Sequence, residues 1–253
     1  MTQVIAIANY GDLTNHTTSV VSLAGALATD ALRVLIIEAN PEAPLSNYFH
    51  AIKESGLTLA DLFKDSGMIR KDSLTRLVPV SSKATISMIT AGEDLQEVAN
   101  GLSRNAGKGL LLRNLVNTIE DLHDYVLISC TKNLDVLLVN ALAASHTLLL
   151  PVNLGNVQAE ALAQYLEIVN MIEAGRKMPL RKIALPMAQE MGITPPEETE
   201  KELEFLLGDQ LWDGVIPSDP HFAQAAEEGV TISELNPKAP GAVAYRRLSE
   251  VLT

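Results

Sequence analysis

Short apolar runs separated by helical stretches recur along almost the whole chain, and this alternation most constrains how it can fold. The runs lie at residues 4–8 (VIAIA), 33–38 (RVLIIE), 85–90 (TISMIT), 124–129 (DYVLIS) and 147–152 (TLLLPV). They show no regular apolar/polar alternation, so both faces of each strand call for cover. Between them, apolar residues recur three to four apart, as at Val20, Ala24, Leu27 and Ala31. Residues 95–122 read as a long helical region with a break at Gly107 or Gly109. Residues 133–144, 156–174 and 240–252 read as further helices. In the second of these, Val157, Ala161, Tyr165, Ile168 and Ile172 share one side. Residues 181–185 and 214–217 read as two last short strands. The expected architecture is α/β: a single doubly wound, mostly parallel sheet with helices on both faces. With no linker or repeat in sight, residues 1–253 are expected to form one domain.

Composition removes several alternatives. At 47% hydrophobic and 20% charged residues the chain is globular rather than disordered. No apolar run approaches the roughly 18–20 residues that span a bilayer. Met1-Thr2-Gln3-Val4 has no basic segment followed by a long apolar stretch, so no secretory signal is expected. The one cysteine, Cys130, permits no intrachain disulfide and suits a reducing cytoplasm, the expected location. Acidic residues number 31 against 19 basic ones, a net charge of −12, which disfavours holding nucleic acid by bulk charge. Histidines at 16, 50, 123, 146 and 221 lack the spacing of a zinc site. No G-x-S-x-G elbow is present. Cys130 reads as a small packed residue. Thr194 with Glu197 fits a capping box at the start of an acidic helix.

In an open parallel sheet, ligands bind at the carboxyl ends of the strands. The turn after the first strand, residues 8–18 (ANYGDLTNHTT), is therefore the first candidate site. This segment resembles the start of the ParA/MinD family of partition and positioning ATPases. That family carries a deviant phosphate loop, K-G-G-x-G-K-T-T, followed by a helix of the type A-x-x-L-A-x-A-L-A. Thr17 and Thr18 match the final pair of the loop, and residues 22–28 (SLAGALA) match the helix. Residues 34–41 (VLIIEANP) are similar to the family's V-L-L-I-D-x-D-P. Residues 57–62 (LTLADL) resemble the short helix that follows, and 124–130 (DYVLISC) the family's D-Y-I-I-I-D. Asn140 to Leu142 and Leu149 to Val152 resemble the next helix and strand. The closest stretch is Val215-Ile216-Pro217, then residues 225–229 (AAEEG), then 237–245 (PKAPGAVAY).

The departures from that pattern bear on function. Aligned on Thr17 and Thr18, the family's lysines fall on Gly11 and His16, and its glycines on Asp12, Leu13 and Asn15. Glycines let backbone N–H groups close around phosphates, and lysine neutralises the phosphate oxygens. Asp12 instead adds negative charge, and His16 is mostly neutral at pH 7. The family's strand-end aspartates, which serve Mg²⁺ and the attacking water, fall on Glu38, Asn40 and Ser129. Both lysines and two of three aspartates are thus replaced. Phosphoryl transfer depends on positioning and charge neutralisation. The four changes together point to a site that does not hydrolyse ATP.

The resemblance thus implies a degenerate nucleotide site at Gly11, Asp12, Asn15, His16, Thr17, Thr18 and Pro217. No cofactor is expected there. ATP and Mg²⁺ belong to the alternative, an active ATPase with a rebuilt loop in which Thr17 and Glu38 hold the metal. Gly11, Asn40 and Ser129 stand at the family's catalytic positions without its chemistry. The family further implies a protein partner in a partition or positioning system and a homodimer, with Tyr10 and Leu13 as apolar contacts. Basic pairs at Arg176-Lys177, Arg181-Lys182 and Arg246-Arg247 fit the DNA binding that the family implies, but salt-bridged surface is the simpler reading beside the net charge. Membrane binding of the MinD kind is not expected, because the last helix of the domain runs to the end of the sequence.

Overall fold

The structure is a computed structural model describing residues 2–8, 10, 14–50, 56–72, 77–80, 85–102, 110–132, 134–188 and 197–252. The strands are β1 (Gln3–Ile7), β2 (Val34–Ala39), β3 (Val78–Pro79), β4 (Ile86–Ile89), β5 (Tyr125–Cys130), β6 (Thr147–Asn153) and β7 (Arg181–Met187). The helices are α1 (Thr14–Thr29), α2 (Pro44–Tyr48), α3 (Leu59–Lys64), α4 (Leu95–Leu102), α5 (Leu111–Ile119) and α6 (Val136–Ala144). They continue as α7 (Ala159–Ala174), α8 (Glu197–Leu207), α9 (His221–Glu228), α10 (Ile232–Leu235) and α11 (Pro240–Leu252).

The strands form one sheet in the order β3-β4-β2-β5-β1-β6-β7. All pairings are parallel except the two-residue edge pair β3–β4, which is antiparallel. The chain leaves β1 toward β2 and β4, returns through β5, then crosses to β6 and β7 on the other side of β1. Winding therefore reverses beside β1, the place where such sheets receive ligands.

Helices cover both faces, as the apolar strands require. Val4, Ala6 and Ala8 pack on one side with residues of α3 to α7. Ile5 and Ile7 pack on the other with α1 and α11. Gly25 of α1 permits the close approach of α10, since a Cβ there would lie 2.6 Å from the Thr231 Cβ.

Two local expectations need correction. Residues 214–217 form no strand; Ile216 makes a single bridge to Met187, because the chain touches the sheet there and turns away. The buried side of α7 is Leu162, Tyr165 and Val169, one position round from the face expected, with Ile168 and Ile172 only partly covered. Helices α4 and α5 lie within the region 95–122 that reads as helical. Gly107 and Gly109 lie outside the described residues, as does Thr194.

Candidate functional site

The parallel register sets Ile7, Ser129 and Glu38 side by side at the carboxyl ends of β1, β5 and β2. Helix α1 starts directly beyond β1. Of the expected site residues, Gly11, Asp12 and Leu13 lie outside the described residues. Asn15, His16, Thr17 and Thr18 occupy the first turns of α1. Pro217 follows the Ile216 bridge at the end of β7, two strands from β1.

His16 does not face an open loop. It is 1% exposed, and its Nε2–H donates to the Ile7 carbonyl at 2.8 Å. Its Nδ1 is buried without a partner. Burial pushes its pKa down to about 4, against the pull of the Ile7 carbonyl. At neutral pH the ring therefore carries no charge.

Glu38 is fully buried and is held by four donors. Oε1 accepts from Leu45 N at 2.7 Å and Ser46 N at 3.0 Å. Oε2 accepts from the Ser46 hydroxyl at 2.5 Å and from Ala91 N at 3.3 Å. Burial raises its pKa, although these hydrogen bonds pull the other way. Ala43, at the N-cap of α2, gives no side-chain cap and has a left-handed φ of 50°. Glu38 supplies that cap from the neighbouring strand. The carboxylate that the family resemblance assigns to Mg²⁺ is thus bonded to the first turn of α2 and to the end of β4.

Asn40 and Ser129 are also buried. Asn40 Oδ1 accepts from Glu42 N at 3.1 Å, while its Nδ2 and the Ser129 Oγ have no partner among the described residues. Beside α2 a cleft of about 320 Å³ opens between the ends of β2 and β4, lined by Ser46, Asn47, Thr58 and Thr90. Its charged lining is Glu42 and Glu93, which repel a polyphosphate. Lys132, just past β5, sits 3.8 Å from Glu42.

Tyr10 turns inward rather than outward. Its hydroxyl donates to the Val157 carbonyl at 2.8 Å, and its ring lies 6.4 Å from that of Tyr165. Cys130 is buried with its thiol pushed up by burial, so it is no nucleophile in this environment. All members of the basic pairs except Lys177 are engaged by the protein itself. Arg247 meets Asp213 at 3.1 Å, Lys182 meets Glu173 at 2.5 Å, and Arg246 and Arg181 donate to the Pro237 and Val251 carbonyls. Among the described residues, no acidic, His or Cys group forms a metal-binding cluster, and no helix is long and apolar enough to cross a membrane.

Sequence reasoning named these residues but not the hydrogen bonds that they make. The inward bonds of His16 and Tyr10 depend on Ile7 and Val157, which no local pattern couples to them. A signal for Glu38 was present in hindsight: Ala43-Pro44 starts a helix with no capping side chain of its own.

Comparison with known proteins agrees with this fold. Residues 2–182 match a family described as an AAA domain. The chain is 29% identical to the chromosome-partitioning ATPase Soj of Thermus thermophilus, over 97% of this chain and 93% of that one. It is 26% identical to the chromosome partitioning protein ParA of Caulobacter vibrioides, over 98% of this chain and 92% of that one. Among solved structures, apo McdA of Cyanothece superposes with a TM-score of 0.83 at 19% identity, covering all of both chains.

Proposed function

The chain belongs to the ParA/MinD family of AAA-domain proteins, and from that premise we propose that it is a partition or positioning protein with a degenerate nucleotide site. It acts as a nucleotide-independent scaffold rather than as an ATP-driven switch. The observation that carries this reading is the burial of His16. At the position aligned with a phosphate-binding lysine stands a neutral ring bonded to the Ile7 carbonyl. The rest of the loop cannot replace the missing cation, because the first 32 residues contain no lysine or arginine.

The metal side supports the same reading. Glu38 is bonded to α2, and Asn40 and Ser129 offer no carboxylate. The residues present do not fit Mg·ATP. A homodimer formed on this face would pack directly, without nucleotide between the subunits. Leu134, 54% exposed just past β5, offers an apolar contact at this end of the sheet. Five of the six residues in the basic pairs are engaged within the chain, which favours a protein partner over DNA.

One observation favours the alternative of a rebuilt ATP site. His16 Nδ1, Asn40 Nδ2 and Ser129 Oγ are buried and unpaired at the strand ends, and such groups call for a water or a ligand. Phosphate release from ATP in the presence of Mg²⁺ separates the two. The scaffold reading expects no release above buffer, together with a dimer by light scattering in nucleotide-free buffer. Steady turnover that Thr17→Ala abolishes would overturn it in favour of the rebuilt site.

A further inference from the structure

A second cavity, of about 180 Å³, lies at the opposite, amino end of the sheet. It opens beside the start of β1 and the turn before β6. There, Val4 N donates to His146 Nδ1 at 3.1 Å. Arg113 of α5, with Arg176 and Lys177 just past α7, brings three cations to its lining, and Glu120 brings one carboxylate. Against a net charge of −12 for the whole chain, this is a local excess of the opposite sign.

Arg176 is held in place by neutral groups. Its Nη2–H donates to the Ser145 carbonyl at 2.5 Å, Nη1–H to the Leu142 carbonyl, and Nε–H to the Met178 carbonyl at 3.3 Å. The nearby Glu173 is itself bonded to Lys182 at 2.5 Å and accepts from Leu180 N at 2.8 Å. Among the described residues, neither Arg113 nor Lys177 has an ion-pair partner. The simplest role for Arg176 alone is to cap the end of α6. That role leaves Arg113 and Lys177 unexplained beside the same cavity.

We propose that this amino-end cavity is an oxyanion site that takes a phosphate group, either the free ion or the monoester of a small molecule. Guanidinium groups present planar N–H donors that match the oxygens of phosphate, and an ammonium adds a point charge. The volume suits such a group and falls below the roughly 300–1,000 Å³ of sites that enclose larger ligands. The site is separate from the strand carboxyl ends and does not depend on whether they bind nucleotide.

His146 reports on the site. Burial lowers its pKa, the charge of Arg176 lowers it further, and Glu120 opposes both. Arg113 and Lys177 are the other charged groups lining the cavity. A bound dianion would offset the cations and raise the midpoint by roughly half a pH unit. The experiment is an NMR pH titration of the His146 ring in the full chain, with inorganic phosphate or phosphoserine, at ionic strength matched with chloride. The midpoint is expected to rise with one or both, and the paired variant Arg113→Gln/Lys177→Gln to abolish the rise. A larger effect from phosphoserine identifies the ester as the ligand form, and a larger effect from inorganic phosphate identifies the free ion. An unmoved midpoint with both, an equal rise in chloride alone, or an equal rise in the paired variant would overturn the proposal.

Discussion

Around α9, α10 and α11, buried polar side chains are answered from within the protein. Asp219 accepts from Gly241 N at 2.8 Å, from His221 N at 3.0 Å and from the His221 ring at 2.7 Å. Burial works to raise the Asp219 pKa, but these bonds hold it below the usual carboxylate range. Thr231 and Glu234 close a reciprocal cap on α10, and Tyr48 reaches across to the Val230 carbonyl at 2.9 Å. Around the ends of β1, β2 and β5, His16 Nδ1, Asn40 Nδ2 and Ser129 Oγ have no such answer. The first region holds its shape through its own hydrogen bonds. In the second, Glu38 ties β2 to the first turn of α2, and three buried polar atoms have no partner among the described residues. The hydrogen bonds of the first region are thus closed within the chain, while those of the second are left open among the described residues.

The largest expected effect lies in the first region. Asp219→Ala leaves three buried or half-buried donors unpaired and should cost about 3 kcal/mol of stability by chemical denaturation. A loss below 1 kcal/mol would mean that this wall does not depend on those bonds.

His16 gives the second effect, of similar size but dependent on pH. Its pKa is about 4 when folded, against 6.5 for the free side chain. Between these values the unfolded chain binds more protons than the folded one. Stability is therefore complete above pH 6.5 and falls as pH drops toward 4, by about 3 kcal/mol in all. His16→Gln should flatten that slope in denaturation curves taken across the window. An unchanged slope would show that the ring is not buried and neutral.

The smallest effect belongs to Ser129→Ala. It removes a hydroxyl that has no partner, so stability should stay within about 0.5 kcal/mol of the parent or rise. A marked loss would show that Ser129 bonds to something held in the cradle, and the contrast between the two regions would shrink.

The fold was legible because it rests on periodicity. Runs such as 34–37 and 125–128 are apolar on both faces, and only a covered parallel sheet buries them. The small edge strand at Val78–Pro79 was not legible, since two residues carry no pattern. Nor was the true buried side of α7, where Leu162 and Val169, rather than Ile168 and Ile172, are buried beside Tyr165. Within the site, the replacement of lysine by His16 could be read directly. Its inward hydrogen bond could not, because it depends on how far Ile7 O stands from the start of α1. The role of Glu38 was hidden for the same reason: its partners at Leu45, Ser46 and Ala91 come from two separate segments.

Calorimetric titration of the purified protein with ATP and Mg²⁺, repeated with ADP, tests the proposed loss of the nucleotide switch most directly. A buried, uncharged His16 and a committed Glu38 predict no saturable heat at millimolar nucleotide. Saturable binding in the micromolar range would contradict that and show that the loop has been rebuilt around a ligand.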